Sequence, residues 1–204
     1  MSNKSKGIFN IVFNALLGMY PILVFYFLII KKVPVRVFSL FTIALGLFGF
    51  IAGILKKSGK KYDSGFWNPL LLVIVGGAGF IINTDMIPKL FPVIINIMLL
   101  FTFGITLFDP PPMIYRFAIL MDKSIPNSPG QKQIAAYCYK VTVMWVVFFI
   151  LNGNIAAFTV FYGSDLIWAV YNNAVAPVLI GLLFIGEFIV RKIVQRNIPK
   201  SVPL

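Results

Sequence analysis

Glu187 is the residue with the most to explain chemically. It lies inside the apolar run Leu166–Val190, four residues before Arg191. An ionised carboxylate in hydrocarbon is costly, so it must face protein, water or a positive partner. One reading is an i,i+4 pair with Arg191 at the membrane surface. The other is a polar site that faces a cavity or takes a head group. Asn152 and Asn154 flank Gly153 in the middle of the preceding run, and Asn172 and Asn173 fall near the start of the last one. Amides in membrane helices commonly bond from helix to helix. The functional alternative is a cavity between the last two runs, lined by Asn152, Asn154, Asn172, Asn173, Glu187 and Arg191.

A second group is basic. Arg116, Lys123, Lys132 and Lys140 surround a short predicted interfacial helix in the chain centre. They read either as ordinary cytoplasmic charge or as contacts for anionic lipid head groups. Other chemistries lack their residues. The chain has no histidine, which removes the commonest general base and metal ligand. Its one cysteine, Cys138, permits no intrachain disulfide and no Cys/His metal cluster. No Gly-rich loop precedes a Lys-Ser/Thr pair, so there is no P-loop. The carboxylates are scattered singly. An enzyme acting on acyl lipids would have to rest on Glu187, Asp109 or Lys140. The residues point to no catalytic set, cofactor or metal.

The elements that hold these residues are set by composition. Of 204 residues, 59% are hydrophobic and 12% charged, and the mean hydropathy is +0.92. A soluble domain carries about a quarter charged residues. So much apolar surface calls for lipid as solvent. The runs place membrane spans at about 8–30, 37–55, 69–83, 90–108, 139–161 and 166–190. The first is too long for a signal-peptide core and lacks a small-x-small cleavage site before Lys31. The third is short and carries Gly76, Gly77 and Gly79, which weaken a helix but permit close helix contact. Gly49-x-x-x-Gly53 is a weaker contact pattern of the same kind. Asp109-Pro110-Pro111-Pro112 then predicts a new helix over about 110–121 with Asp109 as its cap. Its Met113, Phe117, Leu120 and Met121 share a face, which suggests an interfacial helix. Tyr62, Trp67, Tyr137, Tyr139, Tyr162 and Trp168 lie near span ends, as an aromatic belt would.

The net charge is +12. Basic chains often bind nucleic acid. Here the lysines and arginines fall in the gaps between apolar runs, so the partner they imply is the anionic membrane surface and no nucleic acid. Six spans put fourteen of the eighteen basic residues on one side and four on the other. The positive-inside rule then places both termini in the cytoplasm. Lys31, Lys32 and Arg36 fall on the wrong side and keep a five-span arrangement open.

Several segments resemble one group of proteins. These are Tyr137-Cys138-Tyr139-Lys140-Val141-Thr142 with Trp145, Phe148 to Ala156, Trp168-Ala169-Val170-Tyr171-Asn172-Asn173, and Gly181 to Phe188 with Arg191. They are similar to small bacterial membrane proteins encoded beside aryl-polyene and fatty-acid-type biosynthesis genes. That group looks like a relative of the intracellular septation protein A family, a likeness extended by Tyr20-Pro21-Ile22-Leu23-Val24-Phe25-Tyr26. The resemblance is specific from about Tyr137 to Arg196. Asn173 departs from a frequent Gly and Tyr139 from a frequent Arg. The resemblance implies a bacterial inner-membrane protein concerned with envelope integrity, membrane homeostasis and septation. It brings no catalytic residues with it.

The expectation is an all-α polytopic bundle of about six transmembrane helices, one domain over 1–204, with one interfacial helix between spans four and five. The expected function is non-enzymatic support of envelope biogenesis through membrane lipids or other envelope or biosynthesis membrane proteins. The alternatives are a small transporter or flippase for a lipid or polyene product, and an acyl-lipid enzyme.

Overall fold

The computed structural model describes residues 16–55 and 67–197. The basic residues Lys4, Lys6, Lys56, Lys57, Lys60, Lys61 and Lys200, with Tyr62 and the first residues of the first span, lie outside them. The described residues are mostly helical, with no strand among them. The helices are α1 (Tyr20–Val24), α2 (Val35–Leu55), α3 (Trp67–Ile82), α4 (Met86–Lys89), α5 (Phe91–Phe108), α6 (Met113–Met121), α7 (Gln131–Phe161), α8 (Asp165–Val170) and α9 (Ala176–Asn197). Wider π-helical turns continue α1 over Phe25–Ile30 and join α8 to α9 over Tyr171–Val175, and a 3-10 turn covers Ile125–Asn127.

Three continuous helical stretches are long and apolar enough to cross a membrane: Met86–Phe108, Gln131–Phe161 and Asp165–Ile193. Among the described residues, Tyr20–Ile30, Val35–Ile51 and Asn68–Ile82 are apolar over 10–17 residues, the second of them within a helix that runs on to Leu55. Only 6% of the most apolar window of Asp165–Ile193 is buried within the protein. Leu182, Ile185, Ile189 and Ile193 of that stretch are all exposed. Apolar surface on that scale needs acyl chains as its solvent, which marks the chain as a membrane protein.

Internal contacts divide the chain into two compact units: Met1–Phe91 with Thr159–Asn173, and Pro92–Phe158 with Ala174–Leu204. In the first, α2 and α3 pack backbone to backbone. A Cβ on Gly46 would fall 2.8 Å from the Pro69 carbonyl oxygen, and one on Gly76 would fall 2.9 Å from that of Ser39. The glycines that make the contact are therefore Gly76 and Gly79 with Gly46; Gly77 looks onto open space. Tyr20 is fully buried, tilted against Phe91 with ring centroids 4.3 Å apart, its hydroxyl 3.4 Å from Thr42 Oγ1. Helix α3 ends at Asn83, whose φ of 55° is the left-handed conformation that asparagine tolerates at a helix end.

In the second unit, α5 and α7 run antiparallel around Val141, Trp145 and Phe149. Asn152 donates to Asn96 Oδ1 across that pair at 3.0 Å, and Gly153 lets Asn96 approach. Helix α6 begins at Met113, three residues later than expected. Asp109 does not cap it. Instead its leading N–H groups are taken by threonines of two neighbouring helices: Met113 N donates to Thr106 Oγ1 at 2.9 Å and Ile114 N to Thr142 Oγ1 at 3.3 Å. Those bonds satisfy groups that a helix start otherwise leaves orphaned. Leu120 and Met121 remain exposed at its far end, which suits a helix lying against lipid. Helix α7 starts at Gln131, eight residues ahead of the predicted span.

Candidate lipid-binding cleft

A cleft of about 400 Å³ opens in the second unit between α6, α7 and α9. That is within the ~300–1,000 Å³ typical of small-molecule sites. Its walls are mostly apolar, with Ile114, Phe117 and Met121 from α6, Trp145 from α7 and Phe184 from α9. Trp145 and Phe184 meet with ring centroids 4.8 Å apart. The polar residues gather at the end where α7 begins: Tyr137, Glu187, Arg191 and Asp122. Helical rise puts about 12 Å between Tyr137 and Trp145. The cleft thus has a charged mouth and an aromatic depth.

Glu187 is held by three contacts. The Tyr137 hydroxyl lies 3.3 Å from Oε1 and 3.2 Å from the Glu187 carbonyl oxygen. Arg191 Nε stands 3.7 Å from Oε1, one helical turn on. The glutamate side chain is 13% exposed and the arginine 38%, so the pair sits at a boundary rather than in open water. The Glu187–Arg191 pair expected from spacing is present, and it lines a cleft as well. At Asp122, Oδ1 accepts from both the backbone N–H (2.9 Å) and the hydroxyl (2.6 Å) of Ser124. Those two bonds hold its carboxyl below the ordinary carboxylate range, so it stays ionised. Cys138 is buried in the cleft wall.

No family model, curated protein or solved structure matches this chain. Its function must be argued from its own residues.

The amides divide between local and cross-helix roles. Asn152 pairs with Asn96. Asn154 is exposed and donates to the Ile150 carbonyl, one turn back. Asn172 is buried in the first unit and donates to Thr159 Oγ1 at 3.2 Å and to the Trp168 carbonyl. Asn173 donates to the Ala169 carbonyl. Asn172 and Asn173 fall in the π-helical turn Tyr171–Val175, where loosened backbone carbonyls suit amide donors. Of the six residues grouped from sequence, Glu187 and Arg191 line the cleft. Among the basic four, Arg116 folds back on its own turn: Nε donates to the Pro111 carbonyl at 2.7 Å and a terminal nitrogen to that of Asp109 at 2.9 Å. Lys123, Lys132 and Lys140 are exposed.

A further polar cluster escaped the sequence reading. Lys89 Nζ, in a side chain only 8% exposed, donates to Asp85 Oδ2 and to Asp165 Oδ1, the latter at 2.6 Å. The Lys89 carbonyl accepts from Trp168 Nε1 at 3.1 Å. Trp168 is fully buried there, so it serves as a core residue and not as part of an aromatic belt. The Asp85–Lys89 spacing of four was a readable signal. Asp165, 76 residues away, gave none.

Proposed function

We propose that this chain is a six-span protein of a bacterial inner membrane, with both termini in the cytoplasm, that supports envelope biogenesis or membrane homeostasis without catalysing a reaction. It does so by holding a membrane lipid in the cleft under α6. The cleft itself carries this reading: an apolar, aromatic-floored space of about 400 Å³ with ionised groups at one end fits an acyl chain below a polar head. The exposed apolar end of α6, at Leu120 and Met121, supports a mouth at lipid level. Exposed Lys123, Lys132 and Lys140 suit the anionic surface around it. The residue likeness to the septation protein A group agrees with an envelope role.

Native mass spectrometry of the full chain released from detergent tests this. The wild type retains a one-to-one lipid adduct. Ala118→Trp, which fills the cleft from the α6 side, loses it while eluting as a folded species. A wild type that carries no lipid, or a filled variant that retains it fully, overturns the reading. The transporter alternative draws on Lys89, since ionisable groups in spans often mark coupling sites. Its ammonium is satisfied by two carboxylates of the same unit, which suits a structural tie better.

A further inference from the structure

The charge at the cleft mouth is opposite to that of the chain. Basic residues outnumber acidic ones eighteen to six overall. At the mouth, two carboxylates, Asp122 and Glu187, stand with one guanidinium, Arg191. A mouth built for anionic lipid would gather the surrounding lysines; Lys123, Lys132 and Lys140 are exposed and do not line it. The carboxylates are also fixed in place. Asp122 is oriented by two bonds from Ser124, and Glu187 by the Tyr137 hydroxyl and Arg191. Both carboxylates are acceptors only, so they select a donor.

We infer that the lipid held in the cleft is a phospholipid whose head carries a primary ammonium, a phosphoethanolamine head. The inference rests on the lipid-binding reading above. The ammonium donates its N–H bonds to the Asp122 and Glu187 carboxylates. The head's phosphate faces Arg191, whose guanidinium turns one of its five N–H donors toward Glu187. The acyl chain runs about 12 Å along α7 toward Trp145 and Phe184. A head with both signs matches a mouth with both signs. A glycerol head offers no cation, and a trimethylated ammonium offers no N–H.

Trp145 reports occupancy because it lines the deep end. Phospholipids with identical brominated acyl chains and ethanolamine, glycerol or choline heads are titrated into the full chain in detergent. The Trp145 signal is the fluorescence of the wild type minus that of Trp145→Phe. The expected result is saturable quenching, with half-saturation about tenfold lower for the ethanolamine head than for the glycerol head, the effect of charge-assisted bonds gained by one head alone. The choline lipid falls between them. In Asp122→Asn/Glu187→Gln, the ethanolamine advantage shrinks to about twofold. Equal half-saturation for all three heads, or a preference for glycerol, overturns the head-group inference and leaves lipid binding standing. No saturable quenching by any lipid overturns both. A double variant that is folded by gel filtration and keeps the full advantage overturns the role of the carboxylates. The wild-type series decides the head group even should that variant not fold.

Discussion

At the scale of single residues, the chain places its few polar groups where a partner meets them. Lys89 is the clearest case. Its ammonium is nearly sealed, while Asp85 and Asp165 are about half exposed. Either carboxylate alone can neutralise it, and exposed carboxylates are worth little individually. Asp85→Asn or Asp165→Asn should therefore each cost about 1 kcal/mol or less. The double substitution strands a buried cation and should cost about 3 kcal/mol, more than the two singles combined. Thermal unfolding in detergent reads the difference; an additive double would show that the ammonium is already solvated. The sequence made part of this legible. Glu187 and Arg191 were visible because a carboxylate in an apolar run, four residues from an arginine, has few places to go. Asp122 gave no sign of a site in the sequence, since its place in the cleft depends on how the α6–α7 turn folds. Asn96 gave no sign that it would meet Asn152, because a lone amide does not announce which helix it faces.

At the scale of helices, hydrophobic patterning located the segments well and their ends less well. All six apolar runs and the short helix before α7 are helical wherever they are described. The misplaced boundaries share a cause. Pro110 to Pro112 signalled a helix start, but α6 waits until Met113, where threonines from α5 and α7 can take its N–H groups. Helix α7 extends back to Gln131 because polar residues continue a helix as readily as apolar ones once it leaves the hydrocarbon. The glycines of α3 were legible as contact residues, but which of them touch depends on rotation about the axis. That distinction yields a sharp expectation. Gly46→Ala forces a methyl into the Pro69 carbonyl and the Val73 side chain, and should cost about 1–3 kcal/mol. Gly77→Ala meets nothing within 4 Å and should stabilise α3 by about 0.5–1 kcal/mol. Melting temperatures of the two variants should move in opposite directions; a shared direction would mean that α2 and α3 are not in backbone contact.

For the whole molecule, the Lys89–Asp165 bond closes a long stretch of chain. It ties the turn before α5 to the turn after α7. The proposed six-span arrangement gives Lys123 and Lys132 to the basic side and leaves Lys89 as the one basic residue of the Asn83 and Gly163 turns. In a Cys138→Ser background, cysteines at Ser124 and Lys132 should react with an impermeant maleimide only from the cytoplasmic side. Cysteines at Asn83 and Gly163 should react only from the other. Labelling of all four from one side would sink the six-span arrangement.

Cys138 has a practical consequence. The chain's only thiol is buried in the wall of the cleft, one residue from the tyrosine that touches Glu187. Because that thiol lines the cleft, a small alkylating reagent that enters by the route of an acyl tail reaches it. The rate at which that native thiol is consumed is thus a gauge of whether the space is full, available in intact cells with no engineered probe.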